Sequence, residues 1–363
     1  MADWKHPPRL FIPGPVKVKE DVLQQLARPT LGHRTQEYTQ LHGETVQLLK
    51  RILFTDQHVF LSTSSGSGIW EAAIRNCVAP DEKVLCTCCG AFSDKWADVV
   101  TLCGREADVL QVAWGQAITP ELIDERLAAG NYAAITLVYN ETSTGLANPV
   151  YAISEMMKTK YPDVLVFVDA VSAMVGLPLH FDDLGWDVTF ASVQKAFAIP
   201  PGLAVAAVSN RALAKSLSVP QRGYYFNFEL WAKNAANDQT LVTPNIPHIM
   251  ALHYQCSKLI DEGMEPVWKR HREMAEYVRH WAGEKFSIFC DSRYPSDTLT
   301  TIRNVMGIDV AKTIAAVREK HGTLFSDGYG KLKQETFRIA HMGDITLAEL
   351  EELLAWIDAE IGS

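Results

Sequence analysis

The sequence has no apolar run long enough to span a bilayer; "LAVAAVS" at 203–209 has only the length of a strand. A surplus of basic residues is also missing. Lys and Arg number 34 against 43 Asp and Glu, and the net charge of −9 excludes nucleic acid and anionic membranes as natural partners. The cysteines lack C-x-x-C spacing: "CTCCG" (Cys86, Cys88, Cys89) reads as a strand end, and no metal site is expected. An odd total of seven fits reduced thiols in a cytoplasm better than a disulfide framework. "MADWKHPPRLFIPGPV" has the features of neither a signal peptide nor a transit helix, and "DAEIGS" carries no retention address, so a cytoplasmic protein is expected. Finally, "STSSGSGIWEAA" does not complete G-x-G-x-x-G, because Glu71 stands at the third glycine position, and it lacks the P-loop lysine. A nucleotide-binding dehydrogenase is therefore poorly supported.

What is present is enough apolar residue, 47% of 363, for a sizeable core. Seven short runs read as strands: "HVFLSTS", "KVLCTC", "EADVLQVA", "AAITLVYN", "VLVFVDA", "VTFASVQ" and "LAVAAVS". Amphipathic stretches such as "GIWEAAIRNCV" and "VYAISEMMKTKY" lie between several of them. That alternation predicts an α/β fold with a mostly parallel seven-stranded sheet and ligands at the carboxyl ends of its strands. After residue 245 the texture changes to long helical periodicity, then "DTLTTIRN", "TLFSDGYG", "TFRIAHMG" and a last helix from about 346. The expected division is a large domain over 20–245 and a smaller α/β domain from 1–19 with 246–363.

Several residues could carry chemistry at that sheet edge. Lys195 lies in "ASVQKAFAIPPG", a run that otherwise reads as buried, where an ammonium must be paired or lose its charge. Asp169 ends the apolar strand in "VFVDAVSA", and Lys195 is expected at the end of the next strand but one, facing the same crevice. A strand-end turn would be the ordinary role for such an aspartate. Ser65, Gly66 and Ser67 precede a helix, where converging N–H groups suit a single phosphate, although Ser/Gly here also serves simple capping. "YNETSTGLANP" brings hydroxyl donors including Thr142, Phe92 could stack on a planar ligand, and Arg338 in "TFRIAHMG" suits a carboxylate or a structural ion pair. Lysine, acid, phosphate cradle, ring and carboxylate clamp together fit pyridoxal 5′-phosphate (PLP).

With these motifs in view, the chain resembles the class V, fold type I PLP aminotransferases. "SVQKAFAIPPGLA", "VDAVSA", "YNETSTGLANPV", "FIPGPVKV", "GHRTQEY" and "FRIAHMG" are similar to stretches of the alanine–glyoxylate, serine–glyoxylate and serine–pyruvate aminotransferase group. The resemblance implies a fold type I PLP-transferase working by ping-pong transamination from alanine or serine to glyoxylate or pyruvate. It makes Lys195 the Schiff-base lysine and Asp169 the partner of the pyridinium nitrogen. Ser65, Gly66 and Ser67 would cradle the phosphate, Gln194 and Thr142 would contact the ring hydroxyl region or phosphate, and Phe92 and Val171 would flank the ring. Arg338 would bind the substrate carboxylate under the backbone of Pro13 and Gly14. The resemblance further implies a homodimer with shared sites, in which Thr243 and Asn245 of "TLVTPNIP" reach the neighbour's phosphate. Phe92 replaces a tryptophan common among relatives, and Tyr139 a histidine. Other class V enzymes remain as alternatives: pyridoxamine–pyruvate, aspartate or phosphoserine aminotransferases, or a cysteine desulfurase-like lyase using Cys290. Phosphoserine would want basic residues beyond Arg34.

Overall fold

Seven strands build the central sheet of the computed structural model, which describes residues 5–362. They are β1 (His58–Ser62), β2 (Lys83–Cys88), β3 (Glu106–Gln111), β4 (Ala134–Val138), β5 (Leu165–Asp169), β6 (Val188–Ser192) and β7 (Ala204–Val208), in the order β1-β7-β6-β5-β4-β2-β3. All seven coincide with the runs expected from sequence. Strand β7 is antiparallel to both neighbours and every other pairing is parallel. Each residue of β4 to β7 is buried, which explains why these segments read as unbroken apolar runs rather than alternating ones. Edge strand β3 instead alternates half-buried and exposed positions. Helices Gly66–Cys77 and Ala91–Leu102 follow β1 and β2, so their N-termini open at the carboxyl edge of the sheet.

One expectation about this edge is corrected. Strand β6 pairs directly with β5, with Asp169 opposite Phe190, so Lys195 follows the adjacent strand rather than the next but one. The two side chains are thereby closer neighbours than expected, for the sheet order here follows the chain order.

Helices Ile246–Glu262 and Met264–Lys285 lead to a second, antiparallel sheet of β8 (Ser287–Ile288), β9 (Leu299–Arg303), β10 (Ser326–Asp327) and β11 (Thr336–Ala340), ordered β8-β9-β11-β10. Helix Leu347–Ile361 buries Leu350, Leu353, Leu354 and Ile357 in a core that includes Ile302, Phe337 and Ile339. That i, i+3, i+4, i+7 spacing is one apolar helix face, and a Thr346–Glu349 capping box starts the helix. Residues Arg9–Leu10 run parallel to Thr323–Leu324, and Phe11 bonds Leu324 and Ala340 through its backbone. The N-terminal ribbon thus lies on the second sheet before entering the site at Pro13. Residues 1–4 of the segment 1–19 lie outside the described residues. Among the described residues no helix is long and apolar enough to cross a membrane, and no cluster of side chains could hold a metal ion.

Candidate active site

Asp169 closes β5 with only 4% of its surface exposed. Two donors hold its carboxylate: Trp70 Nε1–H to Oδ2 at 2.7 Å and the Val171 N–H to Oδ1 at 2.7 Å. Burial nonetheless pushes its pKa up to about 6, against the two donors and the nearby Lys195 charge. The second contact is a strand-end turn, so the ordinary role of an aspartate here and an electrostatic one coexist. Lys195 moves the opposite way. Burial lowers its pKa to about 8, with Asp169 opposing the change and Arg338 adding to it. Its accessible surface is intermediate, but that surface faces the cleft rather than bulk solvent, so the ammonium is poorly hydrated. Ala191, Val193, Ala196, Phe197, Ala198 and Ile199 around it are all buried, as the sequence suggested.

The amine donates to the carbonyl of Pro13. Gly14 lies against the same side chain: a Cβ there would stand 2.7 Å from Lys195 Cδ and 2.8 Å from Nζ, and its φ of +118° also favours glycine. Pro13 and Gly14 therefore cover the lysine by backbone alone.

Nine of the expected residues line one cleft of about 150 Å³: Ser65, Gly66, Ser67, Phe92, Thr142, Asp169, Val171, Gln194 and Lys195. At one end, Ser65 is the N-cap of helix Gly66–Cys77 but its hydroxyl does not cap it, and Ser65, Gly66 and Ser67 bring this helix start to the cleft wall. Two amides of this first turn are already engaged: the Gly66 N–H donates to Ser192 Oγ at 2.7 Å and the Gly68 N–H to the Ser65 carbonyl at 3.0 Å. The place of Gly66 is also sterically required: a Cβ would meet Val171 Cγ2 at 2.6 Å. Opposite, Phe92 begins helix Ala91–Leu102 above the buried Glu141. That carboxylate accepts from the N–H groups of Phe92, Ser93 and Ser143 and from the hydroxyls of Ser93 and Ser143. The hydroxyls of "NETSTG" are thus mostly spent inside the protein, and Thr142 Oγ1 pairs with Ser172 Oγ at 2.7 Å.

Arg338 is 8% exposed and forms no salt bridge among the described residues. Its Nε donates to the Asp327 carbonyl at 3.1 Å and its Nη1 to the Thr142 carbonyl at 3.4 Å, and burial lowers its pKa to about 10. A structural ion pair is therefore excluded among these residues, and a buried cation with only carbonyl partners suits an incoming carboxylate. Thr243 and Asn245 do not join the cleft of their own chain. Thr243 is exposed, while Asn245 caps helix Ile246–Glu262 through His248 N–H.

Sequence reasoning missed Trp70, Ser192 and the role of Glu141. The first had a signal: a tryptophan four residues after Gly66 lies on the same helix face, and a buried indole N–H needs an acceptor. Two cleft atoms lack any partner among the described residues, Asn140 Oδ1, on a side chain 2% exposed, and Gln194 Oε1. Orphaned acceptors beside an acid, an uncapped helix terminus and an aromatic ring fit a phosphorylated, hydroxylated pyridine, the shape of PLP.

Comparison with known proteins agrees. Residues 19–317 match the family described as Aminotransferase class-V. A serine–glyoxylate aminotransferase of Methylorubrum extorquens is 31% identical, covering 99% of this chain and 92% of its own. An L-aspartate–glyoxylate aminotransferase of Paracoccus denitrificans is 30% identical over 93% of this chain and 87% of its own. The crystal structure of an aspartate aminotransferase from Thermus thermophilus superposes with a TM-score of 0.90 at 26% identity, covering 97% and 99% of the two chains. With a paired lysine and aspartate at adjacent strand ends and this match over most of its length, the chain belongs to the class-V aminotransferases, fold type I enzymes that use PLP.

Proposed function

We propose that the protein transfers an amino group from alanine or serine to glyoxylate or pyruvate in a ping-pong sequence. PLP, when bound through Lys195, supplies the electron sink for the transfer. The carrying observation is the pair Lys195 and Asp169, whose pKa values are displaced in opposite senses at adjacent strand ends. Lys195, with its lowered pKa, takes the proton from the donor's α-carbon and returns it on the cofactor side. Asp169 holds the ring nitrogen's positive charge, and that charge in turn favours the ionised form of a carboxyl that burial disfavours. Ser65, Gly66 and Ser67 grip the phosphate, with Gln194 and Thr142 on the ring hydroxyl side. Phe92 and Val171 flank the ring. Arg338 anchors the substrate carboxylate, and Pro13 and Gly14 exclude water above Lys195.

A large domain over 20–245 and a small one from 1–19 with 246–363 frame this site. We further propose a cytoplasmic homodimer in which Thr243 and Asn245 reach the partner's phosphate. The exposure of Thr243 and of Tyr225, at 39% and lining one pocket with Val242 and Pro244, supports a contact surface there. A desulfurase-like reaction is disfavoured, since Cys290 is buried and its thiol is pushed up to about 12. The test is a half-reaction screen: each amino acid is added without acceptor and loss of the PLP absorbance is followed. Conversion by alanine or serine supports the assignment, and failure of both overturns it.

A further inference from the structure

Lys95 is an exposed cation that forms no salt bridge among the described residues, close to the cleft-lining Phe92. It stands three residues after Phe92 on helix Ala91–Leu102, on the same face. Its ammonium lies 5.2 Å from the centre of the Phe92 ring and 4.8 Å from that of Tyr329, and it donates to Tyr329 Oη at 2.6 Å. Tyr329 comes from the loop between β10 and β11. Its ring packs on Phe92 with centroids 5.2 Å apart and lies 5.4 Å from the Arg338 guanidinium. One phenol therefore stands between the two cations, next to a ring that lines the cleft.

The nearby acids take neutral donors rather than Lys95, although Asp94 Oδ1 is left without a partner among the described residues. Asp94 Oδ2 accepts from Trp114 Nε1 at 2.9 Å, and Asp327 takes the N–H groups of Gly328 and Gln334. Lys95 has two further N–H donors, and the Tyr329 phenol, which accepts from Lys95, has no acceptor for its own proton among the described residues. Three donors and one positive charge that forms no salt bridge among the described residues constitute a receptor for an anion.

We propose that Lys95 and Tyr329 form a second carboxylate subsite, which receives the distal carboxylate of a dicarboxylic amino acid or oxo acid. The proposal rests on Arg338 anchoring the first carboxylate. The accepted range then extends beyond alanine and serine to donors of the aspartate or glutamate class and to the matching dicarboxylic oxo acids.

Succinate and propionate differ by the distal carboxylate and cannot react, so their binding to the holoenzyme by titration calorimetry isolates the subsite. The wild type should bind succinate about tenfold tighter than propionate, in keeping with one charge-assisted contact at a wet rim. Lys95→Met should abolish that preference, Lys95→Arg should keep most of it, and Tyr329→Phe should weaken it severalfold. Lys95→Met should also lower the ratio of kcat/KM for aspartate over alanine about tenfold. Arg338→Lys should weaken both ligands together. Propionate binding that survives Arg338→Lys overturns the Arg338 reading, whereas a succinate preference absent from wild type, or surviving Lys95→Met, overturns the subsite.

Discussion

Replacing Trp70 with phenylalanine removes one proton donor and little else. A benzene ring can still stack near Trp96, whose ring centroid lies 6.1 Å away at 19°. What disappears is the Nε1–H given to Asp169 Oδ2 at 2.7 Å. The carboxylate is 4% exposed, so water does not readily replace the donor. Losing a hydrogen bond to a charged acceptor costs about 1.5–3 kcal/mol, which raises the carboxyl pKa by about one to two, at 1.36 kcal/mol per pKa unit. The sign follows directly. A carboxyl with a higher pKa stays protonated to higher pH, and a neutral Asp169 cannot hold a positive ring nitrogen. The acid limb of the kcat profile should therefore move up by about one to two pH units, with activity recovering on the alkaline side. Steady-state rates at saturating substrate from pH 5.5 to 9.5 measure this, and a thermal melt checks that the fold survives. If the Trp70→Phe profile superposes on wild type while Asp169→Asn abolishes turnover, the indole is packing and nothing more.

Three further outcomes are expected. With its pKa near 8, Lys195 is a free amine in roughly a tenth of apo-protein molecules at pH 7, against fewer than about one in a thousand for an unperturbed lysine. PLP uptake by apo-protein should thus quicken about tenfold per pH unit up to 8 and then level off, and a stopped-flow profile still climbing steeply at pH 10 would contradict the lowered value. Gly14→Ala places a methyl within 3 Å of the Lys195 stem at an unfavourable φ, so kcat should fall at least about tenfold while the melting temperature changes little. A variant with full activity would show that the ribbon yields freely. Glu141→Gln turns an amide NH₂ toward a ring of donors and should cost about 2–4 kcal/mol of stability, read by chemical denaturation.

The central strands and the pair Lys195 and Asp169 were legible because their signals are local. An unbroken apolar run marks a strand buried on both faces, and a lysine or aspartate within such a run is conspicuous by its desolvation cost. Long-range pairing was not legible. Trp70 and Asp169 are separated by 99 positions, and Gly66 and Ser192 by 126, so only the packed sheet reveals that they touch. The spacing of Lys195 from Asp169 was misjudged for the same reason, since strand order is a property of the sheet and not of any one segment. Glu141 sat within a quoted loop, yet a carboxylate serving five internal donors cannot be told from a solvated one without its neighbours. Asn245 illustrates the reverse. Its position before a proline-containing helix start is a capping signal, and the structure uses it as a cap.

The course of residues 9–14 carries a practical consequence. Within six positions the chain passes from pairing with Thr323–Leu324 at Arg9, through the Phe11 carbonyl that accepts from Ala340 of the second sheet, to the carbonyl of Pro13 on the Lys195 amine. So short a tether ties the second sheet to the Lys195 amine through only a few backbone contacts. A tag fused close to Arg9, or a deletion that slackens this stretch, will alter turnover far more than its distance along the chain from Lys195 suggests.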